Sequence, residues 1–105
     1  MTQAQFEILP ADKGEPVTVR AAGDIDLHNV GQFQAVLDQA VASAGTVTAD
    51  MTAVTYCDSA TIRALFSVAR RITLVIQVSR TGPLTATLLT VSGLDQLAAV
   101  VTVAR

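Results

Sequence analysis

The stretch Asp50-Met51-Thr52-Ala53-Val54-Thr55-Tyr56-Cys57-Asp58-Ser59-Ala60-Thr61-Ile62 runs from a half-apolar strand into an Asp-Ser step that opens a helix. The first N–H groups of a helix have no partner inside it, so a hydroxyl placed there either caps the helix or carries a phosphate favoured by the helix dipole. Asp58 or Ser59 is the expected cap, and Ser59 is the position best suited to a switch. An ordinary N-cap and a modifiable hydroxyl are both open readings of this step.

Working upstream, Thr46-Val47-Thr48-Ala49-Asp50-Met51 reads as the strand itself. Before it, Val30, Phe33, Leu37, Ala40, Val41 and Ala44 recur at helical spacing. Asn29, with Gln32 three residues on, opens that helix in the manner of a capping box, and Gly45 closes it. Val17-Thr18-Val19-Arg20-Ala21-Ala22 alternates as a half-buried strand does, and Gly23-Asp24-Ile25-Asp26-Leu27-His28 carries the chain off its end. Phe6 to Leu9 is a short strand stopped by Pro10, and residues 11–16 are dense in turn formers, which predicts a hairpin.

Downstream, Ile62, Leu65, Phe66 and Ala69 form one apolar stripe, with Arg63, Ser67 and Arg70 on the other face. Thr73-Leu74-Val75-Ile76-Gln77-Val78 is apolar through its centre, as expected of an internal strand covered on both sides. Pro83 suits the first position of a further helix, with Leu84, Leu88 and Val91 as its stripe and Gly93 closing it. A last short helix is expected over Asp95 to Ala99 and a final strand over Val100 to Val103. Strands alternating with helices predict an α/β fold, and the early hairpin makes its sheet mixed.

The chain has 105 residues, which fits a single domain over residues 1–105. Half the residues are apolar and few are aromatic, so the core is built mainly from Val, Leu, Ile and Ala. A net charge of -2 leaves no electrostatic footprint for nucleic acid, and proteins are the expected partners. The N-terminal residues lack the basic and apolar regions of a signal peptide. Thr81 to Ala104 carries one charge, Asp95, but Gly82-Pro83, Ser92-Gly93 and five threonines break it well short of the roughly 20 apolar residues that span a bilayer.

Enzyme chemistry finds little support. His28 is the single histidine and sits in a polar loop, so a serine or cysteine nucleophile has no oriented base. Cys57, the single cysteine, reads as a small hydrophobe and excludes an internal disulfide. Asp24, Asp26, Asp50 and Asp58 read as loop and capping carboxylates rather than a cation site. No glycine-rich phosphate loop occurs. The expectation is a chain without catalytic residues, cofactor or metal ion.

Three motifs in register, Gly23-Asp24-Ile25-Asp26, then Asp50-Met51 through Tyr56-Cys57-Asp58-Ser59, then Leu88-Leu89-Thr90-Val91-Ser92-Gly93-Leu94-Asp95, resemble the STAS family in its anti-sigma factor antagonist branch. The resemblance implies a mixed sheet of four or five strands, helices mainly on one face, and no catalytic site. It further implies that an anti-sigma factor with serine kinase activity phosphorylates the serine after the aspartate, here Ser59; Thr61, which departs from the family pattern, offers a second hydroxyl as the alternative acceptor. The unphosphorylated antagonist then binds the anti-sigma factor and frees a sigma factor, phosphorylation blocks binding, and a serine phosphatase restores it. Asp24, Asp26, Asp58, Ser59, Ala60, Thr61 and Arg63 are the implied partner-binding residues, in a bacterial cytoplasmic setting without direct contact to nucleic acid or membrane. Ala60 and Thr61 stand where the family has serine and glycine. The alternative reading is therefore a constitutive STAS-like interaction module, or one whose Asp24, Asp26 and Ser59 line a nucleotide or small-ligand site.

Overall fold

Two strands, β1 (Gln5–Leu9) and β2 (Val17–Ile25), pair antiparallel as the turn-rich segment between them predicts. The computed structural model describes residues 4–9, 11, 15–80, 82, 83, 89 and 91–103. Three further strands, β3 (Thr46–Cys57), β4 (Thr73–Ser79) and β5 (Ala99–Val103), extend the sheet in the order β1-β2-β3-β4-β5, each parallel to its predecessor. The helices α1 (Val30–Ser43) and α2 (Ser59–Ala69) lead into β3 and β4, residues 89, 91 and 92 are also helical, and a short 3-10 turn over Leu94–Gln96 precedes β5. The mixed five-stranded α/β sheet is the expected fold.

One face of the sheet holds the core. Val19, Ala21 and Ile25 of β2, Val47, Ala49, Met51 and Val54 of β3, and Leu74, Ile76 and Val78 of β4 are all buried there. The ring of Phe6, whose register partner is Ala21, stacks on Phe33 of α1 with centroids 5.3 Å apart. That contact fixes α1 on the buried face, and α2 packs beside α1 on the same side. On the opposite face Arg20 reaches Glu7 at 3.6 Å and Asp50 at 3.4 Å.

Several elements differ from their expected bounds, each for a physical reason. β3 does not stop at Met51 but runs to Cys57, because its pairing with β2 continues as far as Ile25 opposite Cys57, with register shifts that leave one extra residue in β3 before Ala53 and another at Thr55. Its inward residues are therefore spaced Val47, Ala49, Met51, Val54, Cys57, and the two-residue period is lost after Met51. β2 likewise continues through Gly23-Asp24-Ile25, where Gly23 adopts φ 85 at one of those shifts. Glycine accepts that conformation without steric cost.

The capping box at Asn29 is not formed: its side chain accepts from the Asp26 N–H at 3.0 Å and donates to the Asp24 carbonyl at 2.9 Å. Gly45 is not the left-handed terminator, since α1 ends in extended backbone at Ala44. On α2 the buried residues are Thr61, Ala64, Leu65 and Val68, so the stripe is rotated and Ile62, Phe66 and Ala69 are its half-buried flank. β4 is internal but buried on one face, with Val75 and Gln77 only half-buried on the other.

Of the helix expected after Pro83, Leu84 and Leu88 lie outside the described residues. Leu89 is fully buried whereas Val91 is 80 % exposed, so Leu89 rather than Val91 faces the core. Gly93 closes the segment at φ 84, as expected. Asp95 to Ala99 is not a helix beyond the 3-10 turn, because Ala99 already belongs to β5.

Candidate functional site

Parallel pairing brings the C-terminal ends of β2 and β3 side by side, with Asp24 opposite Tyr56 and Ile25 opposite Cys57. The loop into α1 and the turn into α2 leave from this one edge. Parallel sheets characteristically gather their functional loops there.

Local hydrogen bonds hold both exits. Asp24 accepts from the hydroxyl of Thr55, one of the extra residues of β3, at 2.6 Å. Asp26 accepts from the His28 N–H at 2.9 Å, and its backbone carbonyl takes the Asn29 and Val30 N–H groups that begin α1. Asp58 is the N-cap of α2, its carboxylate accepting from the Ala60 N–H at 3.0 Å. Ser59 is therefore not the cap. It is exposed in the first turn, where its hydroxyl lies 3.5 Å from the Arg63 guanidinium one helical turn on.

Thr61 is different. Its side chain points inward with no exposure, and among the described residues its hydroxyl has no hydrogen-bond partner. A kinase has no access to it in this conformation. A buried unpaired hydroxyl costs about 1–3 kcal/mol, which an apolar group of the same shape avoids. Thr61→Val is accordingly expected to raise the unfolding free energy by about 1 kcal/mol, read as a higher urea midpoint.

Ala60 and Arg63 also line a groove of about 310 Å³ between the two helices, together with Val30, Gly31, Gln34 and Ala64. No atom lies within 4 Å of where a Cβ on Gly31 would stand, so the glycine leaves open space at the groove mouth. Leu27 and Tyr56, 74 % and 52 % exposed, stand at the same edge of the sheet. Sequence reasoning missed these residues, although Leu27 within a polar turn was a usable signal.

Burial pushes the Cys57 thiol up, and the Asp58 charge adds to this, so the thiolate is disfavoured. The His28 imidazole is 96 % exposed, 3.6 Å from Asp26, with no hydrogen bond to Ser59 or Cys57. Among the described residues no three of His, Cys, Asp and Glu gather as metal ligands, and no helix is long and apolar enough to cross a membrane.

Asp50 lies apart from Asp24, Asp26 and Asp58, further down β3 on the face of the sheet where it meets Arg20. Burial alone pushes its carboxyl up, but hydrogen bonds from the Thr52 hydroxyl at 2.6 Å and N–H at 3.1 Å, with Arg20 alongside, bring it below its ordinary 3.8. A carboxyl lowered in the folded state adds stability above its unfolded value and loses it as pH falls through its folded one. Asp50→Asn is expected to cost about 1–3 kcal/mol at pH 7. The deficit should shrink below about pH 4 in urea melts of the two proteins.

A family model described as Mlab, STAS domain, matches residues 8–102. No curated protein matches the sequence. Among solved structures, an anti-sigma factor antagonist from Mycobacterium paratuberculosis is similar at TM-score 0.81 and 18% identity, over 94% of this chain and 86% of that one. SpoIIAA in its unphosphorylated form, also an anti-sigma factor antagonist, is similar at TM-score 0.68 and 16% identity, over 94% and 87%. The phosphorylated form of the Bacillus cell fate determinant SpoIIAA gives TM-score 0.67 and 19% identity, over 93% and 92%. With the family model spanning nearly its whole length, the chain belongs to the STAS domain family.

Proposed function

We propose that this chain is an anti-sigma factor antagonist, binding an anti-sigma factor through the edge that carries Asp24, Asp26, Asp58, Ser59, Ala60 and Arg63, and released when Ser59 is phosphorylated. The observation that carries this reading is the division of labour at the start of α2. Asp58 caps the helix, so the Ser59 hydroxyl is exposed and spared for chemistry. Phosphorylation adds about -1.5 to -2 charges at one point of the surface. The helix N-terminus and Arg63 accommodate that charge within the free protein. A partner docked over the same point must desolvate or match it.

The similarity to SpoIIAA is nearly the same for its two phosphorylation states, in keeping with a switch that changes surface charge rather than fold. On this reading the protein works in the cytoplasm, its partner is an anti-sigma factor with serine kinase activity, and a serine phosphatase resets it. The burial of Thr61 supports Ser59 over Thr61 as the acceptor on this reading.

The test is incubation with ATP and each candidate anti-sigma kinase of the source organism, followed by mass-spectrometric mapping of the phosphoryl group. Modification at Ser59 that disappears in Ser59→Ala is the expected result. Stable binding to such a partner without modification by any kinase would instead identify a constitutive interaction module.

A further inference from the structure

Arg63 of α2 and Arg70, the residue that caps its C-terminus in helical conformation, stand two turns apart, so they project on the same side, with Phe66 and Ser67 between them and Arg71 just beyond. These residues line a shallow groove of about 560 Å³. The arginines and Ser67 are exposed, while Phe66 is half-buried in the floor. No acidic residue lies on α2. Arg71 pairs with Asp38 of α1 at 2.6 Å, and the same pairing holds the Asp38 carboxyl below its usual range. Among the described residues Arg70 makes no ion pair, and Arg63 makes only its long contact with the Ser59 hydroxyl.

The chain as a whole is acidic, at a net charge of -2, so this face is a local excess of positive charge on a negative molecule. Folding does not call for it, since exposed ion pairs add little stability and unpaired arginines add none. Arginine is instead the residue suited to carboxylates at an interface, where its planar fork binds them in pairs. An apolar floor between two such forks asks for an apolar side chain between two acids.

We infer that the outward face of α2 docks an acidic segment of a partner protein, with carboxylates about 10 Å apart flanking one apolar side chain. The carboxylates pair with Arg63 and Arg70, and the apolar side chain seats against Phe66. A polynucleotide is the poorer fit. Three arginines on a chain of net charge -2 release few counterions, and Phe66 lies in the groove floor rather than standing out as a stacking platform. The surface adjoins Ser59 through Arg63: the unphosphorylated protein presents both arginines, whereas a phosphate on Ser59 would draw on Arg63 and compete with the incoming carboxylate.

The test is an NMR titration of the isotope-labelled full chain with a helical peptide of about 14 residues carrying Glu two turns apart and Leu between them. Saturable shifts confined to residues 63–71 are expected. They should weaken about tenfold in the Arg63→Gln, Arg70→Gln double variant and fade with added salt, and persist in Ser59→Ala. Equal binding of the same peptide with Gln in place of Glu would overturn the inference, and that arm needs no protein variant. So would shifts centred elsewhere, or tighter binding of a single-stranded oligonucleotide or of phosphatidylserine vesicles to the same residues.

Discussion

Under the proposed function, Ser59→Asp is expected to weaken binding to the anti-sigma factor by about a hundredfold while leaving the melting temperature unchanged or slightly raised. The two effects have opposite signs for one reason, the place of the new charge. In the free protein it sits in the first turn of α2 with Arg63 one turn on, a position where a negative group stabilises a helix by about 0.3–1 kcal/mol. At an interface the same charge meets desolvation and like-charge contacts costing several kcal/mol, and about 1.4 kcal/mol corresponds to each factor of ten. Isothermal titration against the partner, beside a thermal melt of each variant, separates the two. Binding by Ser59→Asp within about threefold of the parent would remove Ser59 from the mechanism. Ser59→Ala, which adds no charge, should bind nearly as the parent does.

Phe33→Ala is expected to lower the unfolding free energy by about 3–5 kcal/mol, the largest stability loss of any single change considered. Phe33 is fully buried and its ring stacks on Phe6, so one side chain ties α1 to the first strand as well as to the sheet beneath it. Truncation leaves a cavity where α1, β1 and β2 meet, and strands held by paired backbone cannot collapse into it. For a domain of this size the loss corresponds to roughly 15 °C or more in melting temperature. Phe6→Ala should cost less, because Phe6 is only half-buried. A loss below about 1 kcal/mol in Phe33→Ala would mean that the α1 interface relaxes freely.

The parts of this fold legible in the sequence are those in which each residue's environment follows from its neighbours in the chain. Phe33, Leu37 and Ala40 repeat at helical spacing and are all buried. The turn formers before Val17 announce the hairpin, and the Asp58-Ser59 step marks the true start of α2. Legibility fails where a distant partner decides. The end of β3 is set by its register against β2, and after Met51 its inward residues come three apart, which mimics neither strand nor helix. Asn29 carries the pattern of a capping box, but the carbonyl of Asp24 and the N–H of Asp26 claim its side chain. The choice between Asp58 and Ser59 as cap needed the coordinates as well. Both side chains suit the position, and only the geometry assigns the hydrogen bond to Asp58.

The order of the strands has a consequence for how the molecule comes into being. Only β1 and β2 are joined as neighbours by a hairpin; the three other pairings are parallel and each waits on a crossover. Closing such loops is slow, because the chain gives up its freedom before distant contacts repay it. Asp24 and Ser59 lie on opposite sides of one of these crossovers and share an edge only after β2 and β3 have zipped together. A partner that reads both, as proposed, would thus recognise only copies in which β2 and β3 have already paired.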